Sequence, residues 1–511
     1  MVQDEYKERP QMRPLFHFFT RIDPRWIALF LAACFFAAST FDIATYPLAG
    51  ADEPTLSDPA LQLVNTGHLR SDVLSENPGW DTNFLLHPPG LTFATAATYR
   101  AFGFGIWQTR LPSILFGALG VALVFILVRD ITQRMMPALL AAAALICWPA
   151  WVLTAKVARM DTGAIFFLLL ASILVHKSIR SATGYRPRLL FAAGLCVSAA
   201  STFHTASFTW ALALLVTVLY FSTRRLWAAA IYCTGACMLI GAWLVYASFH
   251  LEAFKQQFLY IVLYRTSDGG ILFRFVEEGA RYLDEFTRVA TIAMLAAVAV
   301  VGIATSRPWK NPSMQFLFVL TGVLAFANAL IAGKASGYYT LYPMTLALCI
   351  LAIGIAECME LTGAGAYRYV PTFAVLTFVL FLANLFTVSY GPRLLAAVFQ
   401  RAERNYAVQF APLSAILKPH DQVWGSGVAW YAIVSAGARL DLQPHSIPLN
   451  WDTHPDPLRH RYVVVAPGGE TAQFTGFVKI EDFGSPLPRV VGSQLSNSSY
   501  VFEIWKSRRI P

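Results

Sequence analysis

Residues 50–90 read GADEPTLSDPALQLVNTGHLRSDVLSENPGWDTNFLLHPPG, and this polar stretch decides how the rest of the chain is interpreted. It follows a long apolar run, 26–41, and precedes a series of further apolar runs that contain almost no acidic residues. Its acids and histidines are Asp52, Glu53, Asp58, Asp72, Glu76, Asp81, His68 and His87. Such a loop is either a solvated connector or a carboxylate site that activates a hydroxyl group by general base catalysis. Adjacent Asp and Glu are costly beside lipid, which favours the site.

The composition excludes an ordinary soluble protein. Of 511 residues, 56% are hydrophobic and only 14% are charged, whereas globular domains carry about 25% charged residues. The chain is therefore predicted to be an integral membrane protein. Its 39 Lys and Arg exceed its 30 Asp and Glu, but the basic residues are scattered in short loops. The positive-inside rule explains that pattern, and no nucleic acid partner is expected. The seven cysteines lie in or beside apolar runs, so no disulfide framework is expected either.

The apolar runs predict a polytopic α-helical protein with about eleven transmembrane helices. The runs are 26–45, 111–128, 135–155, 162–176, 189–223, 226–249, 289–306, 311–332, 335–356 and 369–390. The run 189–223 exceeds one crossing, so we expect two helices with a turn at His204. Segment 88–99 is apolar but short and opens with Pro-Pro, which predicts an interfacial or re-entrant helix. Counting it as a span would place the arginine-rich loops that follow it outside the cell, against the positive-inside rule.

This count predicts the domain organisation. Residues 1–24 form a cytoplasmic tail, and 25–390 form the transmembrane domain, whose first outer loop is 46–104. Residues 391–511 are Pro-rich and polar and form a small α/β domain on the same outer side. Within them a helical run is expected near 428–436. Strand-like runs occur at 421–424, 461–466, 477–481 and 500–505.

Several isolated polar residues stand at the ends of the apolar runs. Asp161, in TAKVARMDTGAIFFLLLA, either caps the helix that follows or faces a substrate, and the two roles are compatible. Lys334 is alone in AGKASGYYTLYPM, where a lone cation suits a phosphate at the membrane surface. His87, in FLLHPPG, stands where the loop re-enters the membrane and is a candidate phosphate contact. Arg265 or Arg274 could clamp a phosphate or diphosphate, although loop arginines are usually solvated.

The tyrosines and acids admit two further interpretations. Tyr338, Tyr339 and Tyr342 flank Lys334 and are more typical of an interfacial aromatic belt than of catalysis. The acids and a histidine could hold Mg²⁺ or Mn²⁺. Because the cations named above would make a metal unnecessary, no metal cofactor is predicted.

Four segments taken together resemble one family. They are ADEPTLSDPALQLVNTGHL after the first helix, LLHPPG before a helix, ARMDTGAIFFLLLA, and GKASGYYTLYP before a late helix. In this order they are similar to membrane glycosyltransferases of the dolichyl-phosphate-mannose-protein mannosyltransferase type and their bacterial relatives that glycosylate lipid A or lipopolysaccharide. The resemblance covers about 20–390. It implies a GT-C-like fold in a bacterial inner membrane, with a periplasmic C-terminal domain. It also implies inverting transfer of a sugar from a polyprenyl-phosphate donor to lipid A, lipopolysaccharide, another glycan or a protein.

The resemblance also implies roles for individual residues. The catalytic acidic position and its neighbour match Asp52 and Glu53, and a second acid matches Asp161. The lipid-phosphate contacts match Lys334 and Tyr338 or Tyr339, whereas His87 departs from the lysine that the bacterial relatives usually carry before Pro. Two rival interpretations are a transporter or flippase, which would show interrupted helices and polar groups near mid-membrane, and a structural membrane protein.

Overall fold

The computed structural model describes residues 22–50, 52–74, 79–181, 184–259, 273–274, 276, 296–304, 307–331, 337–360, 369–442, 455–467, 474–486 and 500–510. Most of the described chain is helical. The helices of its first half are α1 (Pro24–Thr40), α2 (Asp52–Thr66), α3 (Gly90–Phe102), α4 (Ile106–Thr132), α5 (Met135–Cys147), α6 (Pro149–Lys156), α7 (Asp161–Ile179), α8 (Pro187–Phe203), α9 (Ser207–Phe221), α10 (Arg225–Ser248) and α11 (Leu251–Phe254). A π-helical turn, Lys255–Leu259, continues α11.

Residues 296–304 are helical as well. The later helices are α12 (Pro312–Ile331), α13 (Leu341–Met359), α14 (Val370–Ser389), α15 (Gly391–Phe399), α16 (Tyr406–Gln409), α17 (Ala411–Ile416) and α18 (Trp430–Ser435). Short 3₁₀ turns occur at Pro308–Lys310, Gly337–Thr340 and Gly427–Ala429.

By length and hydropathy, six of the described helices can cross a membrane, or seven if α5 and α6, bent by 59° at their junction, form one span. The shorter apolar helices α1, α8 and α9 have 15 to 17 residues, which is just under the usual length of a crossing. The membrane-embedded, multi-pass class is therefore confirmed. The number eleven stays a prediction, in part because half of the run 289–306 lies outside the described residues.

Two finer predictions about the helices are confirmed. The long run 189–223 is divided into α8 and α9 at His204. Most of the segment 88–99 belongs to α3, which starts at Gly90. This helix has 13 residues and is too short to span a bilayer.

Small residues let the helices approach closely. A Cβ added at Gly194 of α8 would lie 2.2 Å from the Tyr232 carbonyl oxygen of α10, and one at Gly235 would lie 2.3 Å from the Phe191 oxygen. Helix packing in membranes depends on such contacts because lipid supplies no hydrophobic driving force between helices. α4 lies inside the bundle and packs against α1, α5 and α7.

Ion pairs mark the end of the bundle that lies away from Asp52. There Lys177 of α7 lies 3.2 Å from Asp130 of α4. Arg134, just before α5, pairs with both Glu357 and Glu360 at the end of α13. The sequence predicts a cytoplasmic position for Arg129, Arg134 and Lys177. The packing of the helices brings these predicted cytoplasmic ends together.

The C-terminal region contains a five-stranded sheet in the order β2-β1-β3-β5-β4. Its strands are β1 (Gln422–Gly425), β2 (Arg439–Leu442), β3 (Tyr462–Val465), β4 (Phe477–Phe483) and β5 (Phe502–Ser507). β1 is parallel to β2 and β3, while β5 is antiparallel to β3 and β4. The strand runs and the helical run predicted from the sequence are confirmed. The additional strand β2 was not predicted.

The sheet region packs on the polar loop that follows α1. One continuous apolar cluster joins Leu61, Trp80 and Tyr99 of that loop to Phe410 and Tyr431 of the C-terminal region. The Ala49 amide donates to the Tyr500 hydroxyl at 3.1 Å, and the Leu442 amide donates to the Val73 carbonyl at 3.0 Å. The C-terminal region thus packs on the loop that is predicted to carry the active site.

Candidate active site

Two of the three predicted catalytic acids, Asp52 and Asp161, come together through one arginine. Arg159 Nε donates to Asp161 Oδ2 at 3.0 Å, and Arg159 Nη1 lies 3.5 Å from Asp52 Oδ2. The Asp52 side chain is 69% exposed, whereas that of Asp161 is 1% exposed. Asp52 therefore faces the open side of the cluster, and Asp161 supports the arginine from within.

Local sequence explains how these side chains are positioned. Asp52 and Asp161 are the first residues of α2 and α7, where the partial positive charge of the helix terminus favours a carboxylate. The hydroxyl of Ser113 in α4 accepts from the Arg159 amide at 3.1 Å and donates to the Arg159 carbonyl at 2.8 Å. These two bonds fix the backbone at Arg159 against α4, so the guanidinium can reach both acids.

Glu53, beside Asp52 in sequence, is instead buried in an ion pair. Arg110 Nε donates to Glu53 Oε1 at 2.7 Å, and Arg110 Nη2 donates to Oε2 at 3.2 Å. Arg110 Nη1 also donates to the carbonyls of Ile43 and Pro47, at 2.6 and 2.9 Å. The Ala158 amide lies 3.4 Å from Glu53 Oε1. Glu53 thus joins α2 to α4, to the loop after α1 and to the segment that carries Arg159.

The C-terminal region completes this buried network. The Tyr431 hydroxyl donates to Glu53 Oε2 at 3.2 Å. Burial raises the pKa of Tyr431 well above its ordinary value, so the hydroxyl keeps its proton for this bond. A residue about 380 positions away in sequence therefore holds the carboxylate next to Asp52.

Asp58 fixes the next part of the loop. Its Oδ2 accepts from the Ser71 hydroxyl at 3.1 Å and from the Asp72 and Val73 amides at 2.6 and 3.2 Å. Burial, together with the charge of Asp72, raises the pKa of Asp58 to about 6. Asp58 thus ties α2 to the segment that contacts the sheet through Val73.

The loop of His87 reaches the same end of the bundle. A Cβ added at Gly90 would lie 2.7 Å from the Phe203 ring, and one at Gly163 would lie 2.4 Å from it. Phe203 thus brings the start of α3, which follows His87, beside the start of α7, which carries Asp161. His87 itself is half-buried.

A buried glutamine holds the backbone before His87. Gln257 Oε1 accepts from the Leu85 amide at 2.6 Å, and Gln257 Nε2 donates to the Asn83 carbonyl at 2.7 Å. Gln257 lies in the π-helical turn that precedes the segment of Arg265. The loop that carries His87 is therefore joined to the turn Lys255–Leu259.

Tyr339 is also at this end. Its ring centroid lies 5.3 Å from that of His204, and the Tyr342 hydroxyl is 3.1 Å from His204 Nδ1. The Tyr342 hydroxyl interacts electrostatically with Asp161 and Arg159. The 3₁₀ turn before α13 thus lies at the end of the bundle that carries Asp161.

Of the other candidate phosphate contacts, Arg274 donates from Nη1 to the Leu330 carbonyl oxygen at 3.0 Å. Lys334 and Arg265 lie outside the described residues, and so does the side chain of Tyr338. In the described ranges, no three His, Cys, Asp or Glu side chains are close enough to hold a metal ion.

The sequence alone did not identify two partners in the site. Arg110, a lone arginine five residues into the apolar helix α4, is a signal that could have indicated a buried partner. Tyr431 carries no such signal. The fold and site together define a multi-pass membrane protein that holds a carboxylate cluster at one end of its helix bundle, under a docked C-terminal region.

Comparison with known proteins identifies the fold more closely. The family model described as dolichyl-phosphate-mannose-protein mannosyltransferase matches residues 86–263. ArnT from Cupriavidus metallidurans, solved bound to undecaprenyl phosphate, matches with a TM-score of 0.61 at 13% identity, over 94% of this chain and 97% of ArnT. Comparison with curated proteins gives no match.

Two further solved structures share the fold. The oligosaccharyltransferase of Archaeoglobus fulgidus, solved with Zn and sulfate, matches with a TM-score of 0.52 at 12% identity, over 87% of this chain and 68% of that protein. The arabinofuranosyltransferase AftD from Mycobacteria has a TM-score of 0.52 at 14% identity, over 95% of this chain and 42% of AftD. The resemblance to GT-C-type membrane glycosyltransferases is confirmed by the family match and by the fold.

Proposed function

We propose that this protein transfers a sugar from a polyprenyl-phosphate donor to an envelope acceptor, with inversion, at the periplasmic face of a bacterial inner membrane. The acceptor would be lipid A, lipopolysaccharide, another glycan or a protein. The observation that supports this proposal best is Asp52, an exposed carboxylate beside a partly buried arginine at the end of a lipid-embedded bundle. A base in that position reaches an acceptor from the aqueous side, while a lipid donor can approach from the bilayer.

Asp52 would remove the proton of the attacking group as the new glycosidic bond forms. Arg159, held by Asp161, would orient Asp52. Glu53 would support the cluster from its buried pair with Arg110 instead of touching the substrate.

The departing lipid phosphate gains negative charge in the transition state, so fixed cations and hydrogen-bond donors would stabilise it. We assign this role to Lys334, His87, Arg265, Tyr338 and Tyr339. Because base and leaving group would lie on opposite sides of the sugar, a single displacement inverts its configuration.

A transporter is less well supported. In the described spans, charged residues such as Arg110, Asp130, Asp161 and Glu357 stand near helix ends and not near mid-membrane. The decisive experiment is transfer of a labelled sugar from polyprenyl phosphate in proteoliposomes containing the purified protein. Mass spectrometry of lipid A, lipopolysaccharide and envelope glycans from a deletion strain would identify the acceptor. If no sugar moves in either assay, the proposal fails.

The sidedness of the site can be tested separately. A reporter fused after residue 511 is expected to be periplasmic, and one inserted in 180–187 is expected to be cytoplasmic, because arginine density orients the helices. Reporters that are active on one side of the membrane only measure this directly. A cytoplasmic C-terminus would contradict the proposed domain arrangement of 1–24, 25–390 and 391–511.

The reaction is expected to continue in the presence of a chelator. Fixed cations would neutralise the leaving phosphate, so a divalent ion would have no required role. Turnover measured with EDTA should equal turnover without it. Loss of activity in EDTA that Mg²⁺ or Mn²⁺ restores would show the opposite and would make the acids at Asp52 and Asp161 candidate metal ligands.

A further inference from the structure

Three buried cations surround Tyr46. Lys156 Nζ lies 4.9 Å from the centroid of the Tyr46 ring, and the Arg404 guanidinium lies 5.3 Å from it. Arg393 interacts electrostatically with both Tyr46 and Lys156. Lys156 and Arg404 are each 1% exposed and Arg393 is 2% exposed. We call these three residues the cation cluster.

One acid acts on the whole cation cluster. Among the described residues, Asp42 interacts electrostatically with all three members. A buried cation without a paired anion is strongly unfavourable in its charged form. An anion bound among the three groups would therefore stabilise their charged forms.

Donor groups in the cluster are unused as well. Within the described residues, Lys156 Nζ, Arg404 Nη2 and Arg393 Nε are buried without a hydrogen-bond partner. Another nitrogen of each arginine is hydrogen-bonded. Arg404 Nε donates to Gln400 Oε1 at 2.8 Å, and Arg393 Nη2 donates to the Ser39 carbonyl at 3.3 Å. These bonds fix both guanidinium groups while leaving N–H donors available.

The position of the cluster suits the surface of the bilayer. Arg393 lies on the buried side of α15, whose opposite side exposes Leu394, Val398 and Phe399. Its guanidinium also lies 5.5 Å from the ring of Phe41, which is 55% exposed at the end of α1. Exposed apolar side chains beside buried cations are typical of the depth at which lipid headgroups lie.

We infer that Lys156, Arg393 and Arg404 form a phosphate-binding site, separate from the predicted donor-phosphate contacts. The three cations offer a phosphate group one unpaired N–H donor each, which matches the several acceptor oxygens of a phosphate better than the two of a carboxylate. Lys156 and Arg159 are three residues apart, so their Cα atoms are within about 11 Å of each other. Along the chain, the site would thus be adjacent to the segment that carries Arg159. The inference itself does not depend on glycosyl transfer.

The test is thermal unfolding of the full-length protein in detergent, with inorganic phosphate, phosphatidic acid or diacylglycerol as probes. A ligand that binds only the folded state raises the unfolding temperature with the logarithm of its concentration. We expect phosphatidic acid to stabilise the protein and diacylglycerol, which lacks the phosphate, to have no effect. Stabilisation by inorganic phosphate, compared with chloride at equal ionic strength, would assign the site to the free anion as well.

Substitutions in the cation cluster test whether the phosphate probe binds there. Lys156→Met and Arg404→Gln are each expected to weaken the apparent affinity for the phosphate probe at least about tenfold. Without a probe, Lys156→Met should unfold at a higher temperature than the unmodified protein, because an uncompensated buried cation is gone. Lys156→Arg keeps the charge and should retain phosphate binding. It is the control that separates loss of binding from loss of folding.

The control variant is Lys177→Met, which removes an exposed lysine at the other end of the bundle and should leave phosphate binding unchanged. Two results would overturn the inference. One is the absence of stabilisation by either phosphate probe. The other is stabilisation that persists in both Lys156→Met and Arg404→Gln.

Discussion

Asp52→Asn is expected to lower turnover by a factor of about 10² to 10⁴, the range that general base catalysis contributes. Asparagine keeps the shape of the side chain and removes the base. The Asp52 side chain is 69% exposed, and its contact with Arg159 is long at 3.5 Å. We therefore expect Asp52→Asn to fold normally and to unfold near the wild-type temperature in detergent. Donor affinity should survive, because the lipid phosphate would be held by cations and not by an acid that repels it.

Asp161→Asn is the matched comparison. Asp161 is buried and accepts from Arg159 Nε at 3.0 Å, so its replacement should disturb the arginine and lower both stability and turnover. The measurements are turnover, donor affinity and thermal unfolding of the two variants side by side. If Asp52→Asn is well folded and retains near-wild-type turnover, Asp52 is not the base, and Asp161 becomes the next candidate.

The largest loss of stability is expected at the buried pair of Glu53 and Arg110. Their side chains are 3% and 0% exposed, so removing one partner leaves the other charge buried without compensation. Such changes typically cost about 3–5 kcal/mol. Glu53→Ala and Arg110→Met should each lower the free energy of unfolding by that amount, and turnover should fall because the segments around Asp52 are no longer joined.

The double variant separates the ion pair from general packing. Glu53→Leu combined with Arg110→Met replaces both charges by apolar groups of similar size, and we expect it to be more stable than either single variant. Lys255→Met is the surface control. Its ion pair with Glu252 is largely exposed, so its loss should change the unfolding temperature very little. Equal unfolding temperatures for Glu53→Ala and the wild type would contradict the proposed role of the pair.

The Glu53 pair also explains why the C-terminal region is docked on the site. Tyr431 reaches the same carboxylate as Arg110, and the Tyr500 hydroxyl accepts from the amide of Ala49, three residues before α2 begins. Burial raises the pKa of Tyr500 to about 12, so this phenol remains neutral. The region thus supports the active-site loop by hydrogen bonds of neutral phenol groups, by apolar packing, and by the ion pair of Arg439 with Asp72 at 3.8 Å.

Local patterns in the sequence predicted much of the fold. Apolar runs long enough to cross a bilayer gave the helices, and the division at His204 followed because one run was too long for a single crossing. Alternating and β-branched runs gave four of the five strands. The edge strand β2, Arg439–Leu442, has only four residues and two of them are charged. Its strand conformation depends on pairing with β1, which the local sequence does not encode.

By itself, the sequence determined that this is a multi-pass membrane protein and where most of its described helices lie, and it predicted that Asp52, Glu53 and Asp161 are catalytic positions. The tertiary structure decided what each acid can do. Consecutive residues of an α-helix point about 100° apart, so Asp52 faces solvent beside Arg159 while Glu53 faces inward to Arg110. The cation cluster likewise joins Lys156 to residues more than 230 positions away. Such groupings depend on how the helices pack, because charge and burial are set by neighbours in space and not by neighbours in sequence.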